Sequence, residues 1–178
     1  MDNRRGFTLV EITIVLVILG IMAIIATSNL MSWLNHNAAI GFQREFLSRC
    51  ADARTRAMAT NLQQKVLLDL GNGTVRIQQG NAGTASVGWT DVGERIVASR
   101  GAGIHEVIAS PAPGTVSPPT TFSFIFNPGG QVLTQDNAAV IRPLTEAKVR
   151  LTADNPGEQT TLRLYGWTSK ARLENGWP

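Results

Sequence analysis

Residues 7–26 are apolar except for Thr8, Glu11 and Thr13, and they contain no proline. At about 1.5 Å of rise per residue, a run of this length forms a helix about 30 Å long, the thickness of a bilayer's hydrocarbon core. Arg4 and Arg5 stand just before it. By the positive-inside rule that end stays cytoplasmic, and the bulk of the chain lies across the membrane.

Glu11 is the anomaly. A carboxylate inside a membrane segment costs several kcal/mol unless it is neutralised or paired, which makes it a functional residue by default. Cleavage between Gly6 and Phe7 would create a partner, an α-ammonium on Phe7. That group lies four residues before Glu11, on the same helical face. It can pair with its own Glu11 or with Glu11 of a neighbouring chain.

Gly6-Phe7-Thr8-Leu9-Val10-Glu11 followed by an unbroken apolar run resembles the N-terminus of type IV pilins and type II secretion pseudopilins. The resemblance implies a membrane peptidase that cuts after Gly6 and methylates Phe7, with Glu11 as the assembly residue. It also implies partners: the prepilin peptidase/methyltransferase, other pilins or pseudopilins met through the helix, and inner-membrane lipid. The C-terminal domain would lie in the periplasm and enter a filament on assembly. The shared N-terminus serves both machines, so it does not separate a secretion pseudopilus from a pilus. Two other readings stay open: a secretory signal peptide cut near Ala26-Thr27-Ser28, releasing a soluble β-domain from Asn29, and a plain membrane anchor. The first residue of the mature chain separates the three as Phe7, Asn29 or Met1.

The 178 residues leave room for one membrane helix and one core-bearing domain. Formal net charge is +3, and loss of Arg4, Arg5 and Asp2 on cleavage would lower it by one. A balance so mild does not by itself call for nucleic acid. Cys50 is the only cysteine, so no intrachain disulfide forms. Major type IV pilins commonly close a C-terminal loop with a disulfide, so the resemblance narrows to a minor pilin or pseudopilin.

Beyond residue 26 the pattern turns amphipathic. Ala39, Phe42, Phe46, Cys50, Ala53 and Ala57 recur at intervals of three and four, one apolar stripe on a helix reaching about Asn61. Cys50 on that stripe reads as a buried, inert thiol. After Leu62 come short β-prone runs. Lys65–Leu70 and Thr74–Gln78 flank a Gly71-Asn72-Gly73 hairpin signal. Residues 80–88 read as a loop, then Trp89, Ile96–Ala98 and Ile104–Ala109 as strands. Ser110–Thr120, with four prolines, reads as an exposed connection. In Thr121–Phe126, Phe122, Phe124 and Phe126 alternate onto one face. Asn127-Pro128-Gly129-Gly130 turns the chain into Gln131–Thr134, followed by Ala139–Arg142, Ala147–Thr152 and Thr160–Tyr165. Arg142, Lys148, Arg150 and Arg163 mark a wet face.

A helix followed only by strands predicts an α+β fold: a long N-terminal helix, transmembrane in its first half and amphipathic in its second, packed on antiparallel sheets in the pilin manner. The expected segments are a leader (1–6), the membrane and assembly half-helix (7–26), the amphipathic half (27–62) and a β-rich domain (63–178). Phe122-x-Phe124-x-Phe126-Asn127-Pro128-Gly129-Gly130 is similar to the phenylalanine–proline–glycine turn of the GspH/FimT group of minor pseudopilins, in which two sheets pack on the helix.

Nothing in the sequence builds a catalytic site. His36 and His105 lie apart and outside any metal-spaced cluster, and His36 reads as solvated or facing headgroups. A Cys–His pair and a nucleophilic serine motif both lack support. Single carboxylates such as Asp69, Asp91, Glu94, Asp136 and Asp154 read as turn residues, with no cluster that argues for calcium. The expectation is therefore no enzyme, no cofactor and no metal. The tail Ser169-Lys170-Ala171-Arg172 is a degraded match to the Gly-Arg-x-Arg tail of DNA-uptake minor pilins of the FimT type. By that resemblance Lys170 and Arg172 beside Trp167 would contact DNA phosphates and a stacked base. The competing reading, that they form the charged face of a terminal strand, is the favoured one.

Overall fold

A computed structural model describes residues 8–98, 101–118, 120–153 and 156–177. The chain divides into two compact units, Met1–Leu34 and Asn35–Pro178. Helix α1 (Leu9–Thr60) contributes to both.

In the first unit the described helix side chains from Leu9 to Trp33 are exposed, including Leu9, Val10, Ile14, Leu16 and Ile25. By length and composition this is the one helix among the described residues fit to cross a membrane. Two of its threonine hydroxyls are satisfied within the helix. Thr13 Oγ1 donates to the Leu9 carbonyl at 2.5 Å and Thr27 Oγ1 to the Ala23 carbonyl at 3.0 Å. Such back-bonding lets threonine sit in an apolar setting without an unpaired donor.

Among the described residues the second unit contains the rest of α1 and eleven strands. The first sheet uses β1 (Gln64–Asp69), β2 (Thr74–Gly80), β3 (Trp89–Val97), β6 (Thr121–Phe126), β7 (Val132–Gln135) and β8 (Ile141–Pro143), in the order β3-β2-β1-β6-β7-β8. The second uses β4 (Gly103–Ser110), β5 (Gly114–Val116), β9 (Glu146–Thr152), β10 (Thr160–Tyr165) and β11 (Ala171–Asn175), in the order β11-β10-β9-β4-β5. Each pairing is antiparallel. This is the predicted α+β arrangement of one long helix and two antiparallel sheets.

The predicted stripe is the core-facing side of α1. Ala39, Phe42, Phe46, Cys50, Ala53 and Ala57 are all buried, and from Phe42 onward they share one apolar cluster with both sheets. Val66 and Leu68 of β1 stand opposite Phe124 and Phe122 of β6 in that cluster. The two rings meet edge to face at 5.2 Å. Strand β6 is buried on both sides, however, because Ser123 and Ile125 are covered as well. Its alternation therefore separates two buried faces rather than a wet face from a dry one.

The hairpin at Gly71-Asn72-Gly73 forms as the residues predict, with Asp69 opposite Thr74 and Gly73 at φ +59°. Three expectations change. The proline-rich connection contains a strand, β5, whose Val116, Thr115 and Gly114 pair with Val107, Ile108 and Ala109. Its prolines flank the paired residues and β5 is an outermost strand, where a missing N–H costs no ladder bond. Trp89 and Ile96 belong to one continuous strand, β3, in which Gly93 at φ +74° accompanies a register shift against β2. The run at Ala139–Arg142 becomes β8 only from Ile141, because Asp136 closes a turn first: the Ala139 and Val140 amides donate to its carbonyl and carboxylate oxygens at 3.0 and 3.1 Å.

Gly166 stitches the two sheets together. Its carbonyl accepts from Val132 N at 2.7 Å, and its own N–H donates to the Thr145 carbonyl at 2.9 Å.

Candidate functional site

Gly6 and Phe7 lie outside the described residues. Beside them, Thr8 caps the helix: the Glu11 backbone N–H donates to Thr8 Oγ1 at 3.2 Å, and the Ile12 N–H to the Thr8 carbonyl at 3.2 Å. Thr8-Leu9-Val10-Glu11 is a capping-box spacing. The signal was present in the sequence, and the membrane run masks it because Thr8 there looks like an interruption. The cap fixes where the helix begins and so holds Glu11 in its first turn, exposed. At that end the helix dipole is positive and favours an anion. Glu11 is thus presented at the edge of an apolar cylinder, open to a positive group from outside.

The residues considered for chemistry are dispersed. Cys50 is buried, and burial alone pushes its thiol up to about 12. His105 stacks on Trp177 at 4.6 Å between ring centroids. His36 is not simply solvated, because its Nδ1 lies 2.9 Å from Glu158 Oε1. Gln43 Nε2, two turns on, donates to the Glu158 carbonyl at 2.8 Å. The helix therefore binds the short 3₁₀ turn Pro156–Glu158 by side chain and backbone together. The described residues contain no group of three or more histidine, cysteine or acidic side chains placed to hold a metal.

The outer face of the second sheet carries a lattice of opposite charges. Arg150 Nη1 meets Glu106 Oε1 at 2.6 Å, and Arg163 lies 2.7 Å from Glu146 and 3.2 Å from Glu174. Arg142, of β8 in the first sheet, is paired with Asp136 at 2.6 Å. Arg142, Arg150 and Arg163 are half-buried; carboxylates on adjoining strands compensate Arg150 and Arg163, and Asp136, in the turn before β8, compensates Arg142.

The tail cations separate. Lys170 is exposed in the turn between β10 and β11. Arg172 lies on β11, where Nη2 pairs with Glu174 and the guanidinium sits 5.7 Å from the Tyr165 ring. Trp167 is 70% exposed, whereas Trp177 is held by His105 and donates its Nε1–H to the Leu151 carbonyl at 3.3 Å. Lys170 and Arg172 therefore share a strand end but not an environment.

The family model for the prokaryotic N-terminal methylation motif matches residues 1–27. No curated protein matches the chain. Two structures of the minor pseudopilin EpsH from the type 2 secretion system of Vibrio cholerae are similar to it, each at 14% identity and a TM-score of 0.36. They cover 61% and 62% of this chain and 95% of the EpsH chain. The methylation-motif match takes in Gly6, Phe7 and Glu11, the residues singled out at the start of the helix.

Proposed function

We propose that the protein is a minor pilin or pseudopilin of the GspH/FimT type, a structural subunit of a type II secretion pseudopilus or type IV pilus, acting in its initiation or tip complex. It is made as a single-pass inner-membrane precursor with its C-terminal domain in the periplasm. It is cut between Gly6 and Phe7, methylated on Phe7 and then extracted into a filament. The observation that carries this reading is a methylation motif running directly into a capped helix, exposed and apolar on every side but for Glu11 in its first turn. The lone Cys50 and the Phe126-Asn127-Pro128-Gly129 turn support the minor-subunit assignment.

Assembly follows from the helix surface. In the bilayer residues 7–26 are covered by lipid, and in a filament neighbouring helices cover the same surface, so lipid contacts are exchanged for helix contacts. Glu11 supplies the selectivity. A carboxylate left uncompensated among apolar helices is costly, and the Phe7 amine of a neighbour removes that cost. Residues 27–62 then carry the domain 63–178 on the outside.

Mass spectrometry of the mature protein tests the reading. The expected N-terminus is a methylated Phe7, whereas a chain starting at Asn29 or at unmodified Met1 rejects it.

A further inference from the structure

Between α1 and the β10–β11 turn lies an open cavity of about 330 Å³, lined by Leu47, Ala51, Arg54, Thr55, Ser169, Lys170 and Ala171. The helical members fall at intervals of four, three and one, so a single face of α1 forms one wall. Arg49 and Arg56 on the same helix each face a carboxylate, as do Arg150, Arg163 and Arg172. Arg54 and Lys170 have no such partner among the described residues.

Ser169 supplies an independent observation. It is 3% exposed, held at φ +47°, and its hydroxyl makes no hydrogen bond; nor does the shielded Nε of Arg54. Buried donors without acceptors are uncommon and costly, and here two of them adjoin an open cavity that also carries two unpaired positive charges.

We propose that this cavity receives one carboxylate, borne by an acidic side chain of a neighbouring protein subunit. The chemistry of the walls selects that occupant. Leu47, Ala51 and Ala171 offer apolar surface for a methylene stem, while Arg54, Lys170 and Ser169 gather donors and positive charge for an acid at its tip. A bare phosphate would leave the apolar wall uncovered. A nucleic-acid backbone needs exposed cations along a track, but Arg172 is occupied by Glu174 and Arg54 is half-buried. The inference rests on the reading that the chain packs among other subunits, and it names the contact its domain would make there.

The test is a nuclear magnetic resonance titration of the full chain in detergent micelles, labelled to show the Arg54 Nε–H and the Ser169 and Lys170 amides. The probes are acetyl-Gly-Glu-Gly-amide, its Gln counterpart, inorganic phosphate and a short single-stranded oligonucleotide. The Glu peptide is expected to shift all three signals saturably and the Gln peptide to leave them in place. Lys170→Gln, at an exposed position, and Arg54→Gln should each weaken the response about fivefold while the remaining spectrum is retained. No shift with the Glu peptide, an equal shift with the Gln peptide, or a stronger response to phosphate or oligonucleotide would each overturn the proposal. The titration requires no filament, so its failure is distinct from a failure of Glu11-dependent assembly.

Discussion

Gly166 lies against Leu144 so closely that a Cβ added to the glycine would stand 1.8 Å from the Leu144 carbonyl oxygen. The contact is backbone to backbone, and no side-chain rotation can relieve it. It sits where Gly166 bonds Val132 of one sheet and Thr145 leading into the other. Gly166→Ala should therefore part the sheets at this point and cost about 3 kcal/mol. Urea unfolding monitored by tryptophan fluorescence checks it; an unchanged midpoint would show that the seam is not needed.

Phe46 is fully buried on the core-facing stripe of α1. Its truncation to alanine leaves a cavity between the helix and the sheets, and the expected loss is about 4 kcal/mol by the same unfolding measurement. Leu30→Ala in the exposed apolar half should leave that midpoint unchanged, because Leu30 contributes nothing to the domain's core.

The Cys50 thiol is the species expected at working pH, since burial raises it from 9.0 to about 12. Alkylation at pH 8 should be undetectable in the folded protein and rapid in urea. A raised value also fixes the sign of the alkaline response. The stabilisation is complete below the unfolded value of 9.0 and is lost as pH climbs from there toward the folded one. Cys50→Ala should flatten that part of the stability profile.

Two turn carboxylates act at the other end of the scale. Asp69 is held below the usual carboxylate range mainly by the Asn72 side-chain and backbone N–H groups, and Asp136 chiefly by Arg142. Depressed values stabilise the fold above the unfolded value of about pH 4, and the gain disappears as pH falls through the folded values. Asp69→Asn with Asp136→Asn should reduce the fall in stability as pH drops below about 4, read from urea midpoints.

Glu11→Val is expected to insert in the membrane and be cut after Gly6, yet to enter filaments at least about tenfold less well, because nothing then rewards the approach of a Phe7 amine. Replacement of Gly6 by a bulky residue should instead leave uncut precursor. The precursor-to-mature ratio and the filament fraction read the two effects separately.

Local patterns carried much of this structure. The intervals from Ala39 to Ala57 set the buried face of α1, because helix geometry alone places those side chains in one row. The turn chemistry at Gly71–Gly73 set the β1–β2 hairpin for similar local reasons. Pairing of β5 with β4 was hidden because prolines speak against strands locally, whereas an outermost strand makes few demands on their missing donors. The contact between His36 and Glu158 was equally hidden, since more than a hundred residues separate the partners and only the packed domain brings them together.

The chain order of its residues was enough to establish the methylation motif, the apolar helix with its single acid, and a helix-first α+β layout, because each depends on neighbours within a few turns. Only the tertiary structure decided which cations are spent on carboxylates and which remain available. Arg163 of β10 is matched by Glu146 of β9 and Glu174 of β11, and Arg54 meets Lys170 across a cavity. Charge balance of that kind is a property of distances in space, on which sequence spacing is silent.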